Sequence, residues 1–272
     1  MKPRALDLFC GAGGATKGLQ LAGFHVTGVD INPQPRYCGD EFHQADALTF
    51  PLEGYDFIWA SPPCQAFTTL RALQKGKEYP DLIPETRAML IATGVPYAIE
   101  NVEGAPLGES GYLIMLCGTM FGLGTPTGSA ELRRHRLFET SFSIPLRPAC
   151  QHGTSIISVH GDHARDRRRV GTISAVGAKG MPGLSHARKV ITVTGHTPVE
   201  PRHTISVTGA TPQTNVVRNR DRATYSTEEA RGAMGINWMG MKGLSQAIPP
   251  AYSEFIGKQV LQVLGRVRGD AS

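Results

Sequence analysis

The sequence lacks any run of about 18 apolar residues, which excludes a membrane-spanning helix. Cysteine is scarce: Cys10, Cys38, Cys64, Cys117 and Cys150 are odd in number and widely spaced. That rules out a disulfide framework and fits a reducing, intracellular setting. Aromatic residues make up only 7% and charged residues 19% of the 272 residues, but 40% are hydrophobic. Such a chain is not expected to be disordered, and it can bury a sizeable core as one large domain or two small ones. The N-terminus runs directly into the apolar stretch Ala5-Leu6-Asp7-Leu8-Phe9 without a small-residue cleavage site, so no signal peptide is expected. The expectation is a cytoplasmic protein with no membrane partner.

The charge is unevenly placed. Residues 147–224 hold 12 Lys+Arg against 4 Asp+Glu, a net of +8, whereas the whole chain carries +5. The rest is therefore mildly acidic at −3. Six of the nine His lie in the same segment. A basic segment on an acidic body points to a polyanion partner, nucleic acid first. Its candidate phosphate-contacting residues are Arg165, Arg167, Arg168, Arg169, Arg188, Lys189, Arg218 and Arg220. A solvated Arg-rich loop is the alternative on charge alone.

The pattern of apolar runs divides the chain into three parts. Residues 1–146 alternate short apolar runs with helical stretches. Strands are predicted at 5–9, 25–30, 55–60 and 96–101, with helices over 15–22 and about 84–93. Strands separated by helices imply a mostly parallel sheet covered on both faces, with ligands at the carboxyl ends of the strands. Residues 147–221 repeat a β-branched run closed by Gly at Ile157–Gly161, Ile173–Gly177, Ile191–Gly195 and Ile205–Gly209, which predicts a small β-rich insert. Helical texture resumes over 222–272. Ser226 or Thr227 is a plausible cap there, and an amphipathic helix is predicted over 251–264 after Pro249-Pro250.

Three clusters carry candidate chemistry. Gly11, Gly13 and Gly14 follow the first strand and would let backbone approach a ligand at a helix N-terminus. Asp30 ends the second strand, where it could bind ribose hydroxyls or simply cap the strand end. Cys64, in Ser61-Pro62-Pro63-Cys64-Gln65, stands on a stiff turn beyond a strand, a good place for a thiolate nucleophile and a poor one for a packing residue. Glu100 and Asn101 end the next strand and could bring a carboxyl group near Cys64. Arg134 and Arg136, read as two alternate residues of a strand, would point the same way and could hold a carboxylate or a base carbonyl.

Together these residues resemble the cytosine-C5 DNA methyltransferases. The motifs that carry the resemblance are Asp7-Leu8-Phe9-Cys10-Gly11-Ala12-Gly13-Gly14, Pro62-Pro63-Cys64-Gln65, Glu100-Asn101-Val102 and Arg134-His135-Arg136, in that order. It covers about residues 4–140 and 222–265, and skips the β insert where the family keeps its target-recognition region. The resemblance implies a Rossmann-like, S-adenosylmethionine-dependent methyltransferase sheet with an inserted target-recognition domain. It further implies double-stranded DNA as substrate, a flipped-out cytosine, and Cys64 adding to C6 before the methyl group reaches C5. Glu100 would engage N3, and Arg136 together with Arg134 would hold O2 and orient Glu100. Phe9 would stack on the cofactor adenine, Ile31 would flank it and Asp46 would face its amino group. Gly11, Gly13 and Gly14 would surround the methionine part, Asp30 would bind the ribose, and Pro63 would adjoin the cofactor. The compact length is similar to phage and mobile-element members more than to long cellular ones, and a monomer is expected.

Three departures stand out. Leu132 occupies the place of the family's Gln two residues before the Arg pair. The last motif runs from Gln246 to Pro249-Pro250 without Gly-Asn, and the chain is short. The first two motivate a second expectation, a DNA-binding protein of the same fold that has lost catalysis; the last motif also leaves room for a modified S-adenosylmethionine. A nicotinamide-dependent oxidoreductase would share the glycine turn and Asp30 but leaves Pro-Pro-Cys and the basic segment unexplained. Cys150, His152, His160 and His163 match no strong zinc spacing, and no metal is expected.

Overall fold

The computed structural model describes residues 2–67, 79–153, 156–157, 159, 189–191, 205–207 and 226–269. The chain divides into two units, Met1–Gly161 with Tyr225–Ser272, and Asp162–Thr224.

The first unit is built on a seven-stranded sheet. Its strands are β1 (Arg4–Leu8), β2 (His25–Asp30), β3 (Glu41–Gln44), β4 (Phe57–Ala60), β5 (Tyr97–Asn101), β6 (Tyr112–Leu116) and β8 (Arg136–Thr140). A separate pair joins β7 (Glu131–Leu132) in parallel to β9 (Ile156–Ile157). The sheet order is β3-β2-β1-β4-β5-β8-β6. The pairs from β3 to β5 are parallel, and β8 is antiparallel to both β5 and β6. The chain winds outward from β1 to β2 and β3, then returns to β4 on the other side. The gap between the carboxyl ends of β1 and β4 is therefore the switch point, where open α/β sheets bind ligands.

The near-continuous apolar runs follow from burial on both faces. Leu6, Leu8, Val29, Ile58, Ala60 and Ile99 pack together on one face with Leu90 of α2 (Ile83–Thr93). Ala5, Val26, Phe57, Trp59, Ala98 and Phe138 turn to the other. There they meet Leu19 of α1 (Gly14–Ala22) and Tyr252, Ile256 and Val260 of α5 (Pro250–Gly269). A third cluster joins Leu132 and Ile157 to Ala230, Ala233 and Met234 of α3 (Thr227–Met234) and Leu244 of α4 (Met241–Gln246). Ser226 caps α3 in a full capping box with Glu229.

The predicted strands and helices of the first part are present with shifts of one or two residues. Strands β3 and β6 and helix α4 had no counterpart in the sequence reading. Arg134 is not on a strand, because β7 stops at Leu132 and β8 begins at Arg136. In the second unit β10 (Lys189–Ile191) pairs antiparallel with β11 (Ile205–Val207). The predicted strand at Ile173 lies outside the described residues, and the one at Ile157 belongs to the first unit.

Candidate active site

The glycine turn leaves β1 under strain that only part of the sequence tolerates easily. Phe9 has φ 59°, the one described non-glycine residue with positive φ, and Gly11 and Gly13 follow at 51° and 89°. A bulky residue in the left-handed region costs energy and tends to mark a functional turn. A Cβ on Gly11 would meet nothing within 4 Å, so its backbone faces open space. A Cβ on Gly13 would lie 2.8 Å from the Cys38 sulfur, and one on Gly14 2.7 Å from the Ile248 carbonyl oxygen. Gly13 and Gly14 are thus required for close packing, and Gly11 is the position free to meet a ligand.

Asp30, ending β2, does what a cap does: its carboxylate accepts from the amides of Gly11 at 2.9 Å and Asn32 at 2.8 Å. Oδ1 also accepts from the Asn32 side chain at 3.4 Å, and Oδ2 keeps a further lone pair. Ile31 beside it is 67% exposed, an unusual place for a large apolar side chain. Asp46 is exposed just past β3, where it accepts from the Leu48 amide at 3.0 Å. Phe9 and Gly11 after β1 are thus joined through the Gly11–Asp30 bond to the end of β2, where Ile31 stands exposed.

Across the switch point, β4 delivers Ser61-Pro62-Pro63-Cys64. Asn101 at the end of β5 ties this turn down: its Nδ2 donates to the Pro62 carbonyl at 2.9 Å, and its Oδ1 accepts from the Val102 amide at 2.9 Å. Asn101 is therefore a positioning residue for the Cys64 turn. Pro63 is half-buried within that turn. Trp59 donates to the Ser61 hydroxyl at 2.9 Å, and Ser61 hydrogen-bonds Glu100. Glu100 is 7% exposed and pairs with Arg136 Nε at 3.1 Å. Gln65 Oε1 is buried with no partner among the described residues, a polar atom awaiting a donor.

Burial acts in the same direction on Glu100 and Cys64. Burial raises the Glu100 carboxyl above its ordinary range, opposed by Arg136, Ser61 and Arg134. Such a shift makes the carboxyl readier to take up a proton than a solvated one. Burial also raises the Cys64 thiol, the Glu100 charge adds to this, and Arg136 and Arg134 oppose it.

Arg134 corrects the sequence reading. Its guanidinium donates to the carbonyls of Val159 at 3.0 Å, Ser245 at 2.8 Å and Ala247 at 2.7 Å, and its own carbonyl accepts from Tyr252 at 2.6 Å. Its two terminal nitrogens brace the return segment, and its Nε is buried without a partner among the described residues. Leu132, in place of the family's Gln, is 1% exposed and fills the third core cluster. The shortened last motif runs from α4 directly onto Gly14 through Ala247 and Ile248, and Trp238 donates to the Ala12 carbonyl at 2.8 Å. Of the basic candidates, Arg165, Arg167, Arg168, Arg169, Arg188, Arg218 and Arg220 lie outside the described residues. Lys189 is placed only by its backbone in β10.

Sequence reasoning missed two constellations. Arg87 of α2 and Glu139 of β8, both buried, pair at 2.8 Å and 3.0 Å. Arg87 also reaches the Pro106 carbonyl at 2.7 Å, pinning the loop that follows β5. Cys117, His135, Cys150 and His152 bring one ligand atom each to within 4.8 Å of one another. Cys150 and His152 had been noted in the sequence, but with His160 and His163, which lie outside the described residues. No local spacing could have revealed Cys117 or His135 as their partners.

The strand order, the glycine turn and the switch-point cleft define a doubly wound α/β fold of the methyltransferase type. The chain is similar in fold to a protein described as a DNA modification methyltransferase encoded within an E. coli prophage. The identity is 16%, the TM-score 0.52, and the match covers 97% of this chain and 99% of that one. It is similar also to the S. pombe Dnmt2 methyltransferase, with 16% identity, a TM-score of 0.50, and the same shares covered. No family model matches the sequence. No curated protein matches it either.

Proposed function

We propose that the protein transfers a methyl group from S-adenosylmethionine to C5 of cytosine in double-stranded DNA. The observation that carries this reading is the constellation at the switch point: Cys64 on a turn pinned by Asn101, beside a buried Glu100 paired with Arg136. A nicotinamide enzyme has no use for that constellation, and a free-nucleotide enzyme has none for a +8 segment.

The neighbouring strand ends bearing Phe9, Gly11, Asp30 and Ile31 suit a nucleoside-bearing cofactor: open backbone at Gly11 for close approach, an acid for hydroxyls, and apolar side chains for a ring. S-adenosylmethionine, when bound, supplies a methyl group activated by an adjacent positive sulfur. The chain's own residues do the rest. C5 of cytosine is a poor nucleophile, so the Cys64 thiolate adds to C6 and pushes electron density onto C5. Glu100, whose carboxyl burial raises above its ordinary range, takes up a proton as it meets N3 and so draws charge out of the ring as the adduct forms. Arg136 holds Glu100 in place and faces the charge that develops on the base. After transfer, loss of the C5 proton expels Cys64 and restores the aromatic ring.

Because the target base is stacked, it must leave the helix at a cost of about a few kcal/mol. The basic segment 147–224 offsets this through phosphate contacts and carries the base readout. The test is nucleoside mass spectrometry of double-stranded DNA incubated with S-adenosylmethionine and either wild-type protein or Cys64→Ala. A one-methyl gain on deoxycytidine with the wild type alone supports the reading. No gain, or a gain that survives the substitution, overturns it.

A further inference from the structure

Cys117 stands immediately after β6, His135 between the two arginines, and Cys150 and His152 together further along the chain. These three segments have no sequence reason to meet, yet their side chains converge. Cys117 Sγ lies 3.5 Å from His152 Nε2, Cys150 Sγ lies 3.4 Å from His135 Nε2, and Cys150 Sγ lies 2.8 Å from His152 Nε2. A tetrahedral ion with ordinary zinc–sulfur and zinc–nitrogen bonds sets sulfur and nitrogen roughly 3.5 Å apart. Two of the three separations already have that value, and the third is short by an amount that the exposed His152 can open.

The surroundings resemble a ligand shell and not a packing accident. His135 turns Nε2 to the sulfurs, and its Nδ1 lies 3.6 Å from Glu103 Oε1, the carboxylate–histidine arrangement that orients metal-bound imidazoles. Thr119 donates to Cys117 Sγ at 3.4 Å and approaches Cys150 Sγ at 3.7 Å, as hydroxyls do that steady thiolates. Two thiols, one of them fully buried, and two imidazoles have little reason to share a spot without an ion.

We infer that Cys117, His135, Cys150 and His152 form a tetrahedral structural zinc site that fixes the segment carrying Arg134 and Arg136. All four positions are filled by protein, so no open position remains for chemistry. On binding, the two thiol protons pass to solvent as two sulfur–metal bonds form. The ion's two positive charges are balanced by two thiolates, leaving a neutral group suited to burial. The mixed thiolate and imidazole set favours zinc over magnesium or calcium. The ion ties the end of β6 and residues 150–152 to His135, and so holds Arg136 where it meets Glu100. This revises the expectation of no metal.

The test does not depend on methyl transfer. Protein purified without chelator is assayed for metal by mass spectrometry. Apoprotein is then titrated with Co(II), whose thiolate complexes give charge-transfer bands and strong visible bands when tetrahedral. The expected result is one zinc per chain, those bands in the wild type, and at least a tenfold loss of metal in Cys117→Ser and Cys150→Ser. Cys38→Ser and Cys64→Ala should keep the full metal content. Because a ligand variant may fail to fold, His152→Asn at the exposed position gives a second reading: weaker cobalt binding and altered bands in a folded protein. Metal-free wild type that takes up no cobalt, or a Cys117–Cys150 disulfide in freshly purified protein, would overturn the site. So would unchanged metal content in the two serine variants.

Discussion

Cys64 and Cys117 lie in two regions that share the segment Arg134-His135-Arg136 and treat a thiol in opposite ways. Around Cys64, burial and the neighbouring Glu100 charge hold the thiol up. Around Cys117, burial pushes the same way, but hydrogen bonds from His135, Thr119 and His152 win and pull the thiol below its ordinary value. A nucleophile that forms a bond and then breaks it is well served by a thiolate that appears only when substrate arrives. A metal ligand must give up its proton on binding, and donors that favour the thiolate make that loss easier. The difference comes from neighbours and not from exposure: one cysteine faces a carboxylate, the other two imidazoles.

The sharpest break of that comparison is Cys64→Ala. Transfer should fall by on the order of 10³-fold or more, as when a covalent nucleophile is lost, with bound zinc and DNA binding retained. Retained transfer would make the two cysteines equivalent as far as chemistry goes. Next come the two arginines. Arg134→Ala strands three carbonyls, one buried and two part-buried, and should cost about 3 kcal/mol in denaturant unfolding. Arg136→Ala should cost less stability and act mainly on kcat. Equal stability losses would return Arg134 to the catalytic role first read from the sequence.

Glu100→Gln sharpens the contrast further. It should lower kcat by about 10²-fold and, by removing a negative charge, shift the pH midpoint for Cys64 alkylation downward. A midpoint that stays or rises would show that Glu100 does not act on the thiol. The smallest effect concerns Asp7, a buried acid raised by desolvation from 3.8 to about 7. Its folded pKa lies above the unfolded one, so its contribution to stability is full below about 4 and is lost as pH rises to about 7. Asp7→Asn should therefore gain melting temperature relative to wild type across that range, by on the order of a few °C. It should then hold a constant lead at higher pH. A lead that does not grow with pH would remove Asp7 as its cause.

Legibility followed the range of the interactions. The apolar runs of β1, β2, β4 and β5 are local signals and were read within a residue or two, as was the Ser226 cap. β3, reading Glu-Phe-His-Gln, has no apolar run because it is a largely exposed sheet edge. β6 carries the apolar run Tyr-Leu-Ile-Met-Leu, but a run that short does not by itself tell a strand from a buried helical segment. Arg134 and Arg136 looked alike because alternation implies a common face, but the chain between β7 and β8 is not a strand. Arg134 instead faces carbonyls more than 100 residues further along.

By itself the sequence determined the parallel α/β frame, the strained glycine turn, the stiff turn bearing Cys64 and the carboxyl group of Glu100 at the next strand end. All of these rest on neighbours within a few residues, where backbone sterics and apolar periodicity act. Only the tertiary structure decided that Arg136 and not Arg134 meets Glu100, that Asn101 pins the Cys64 turn, and that two cysteines and two histidines from three segments converge. Those outcomes depend on which side chains the sheet order brings within a few ångströms, and that distance has no counterpart along the chain.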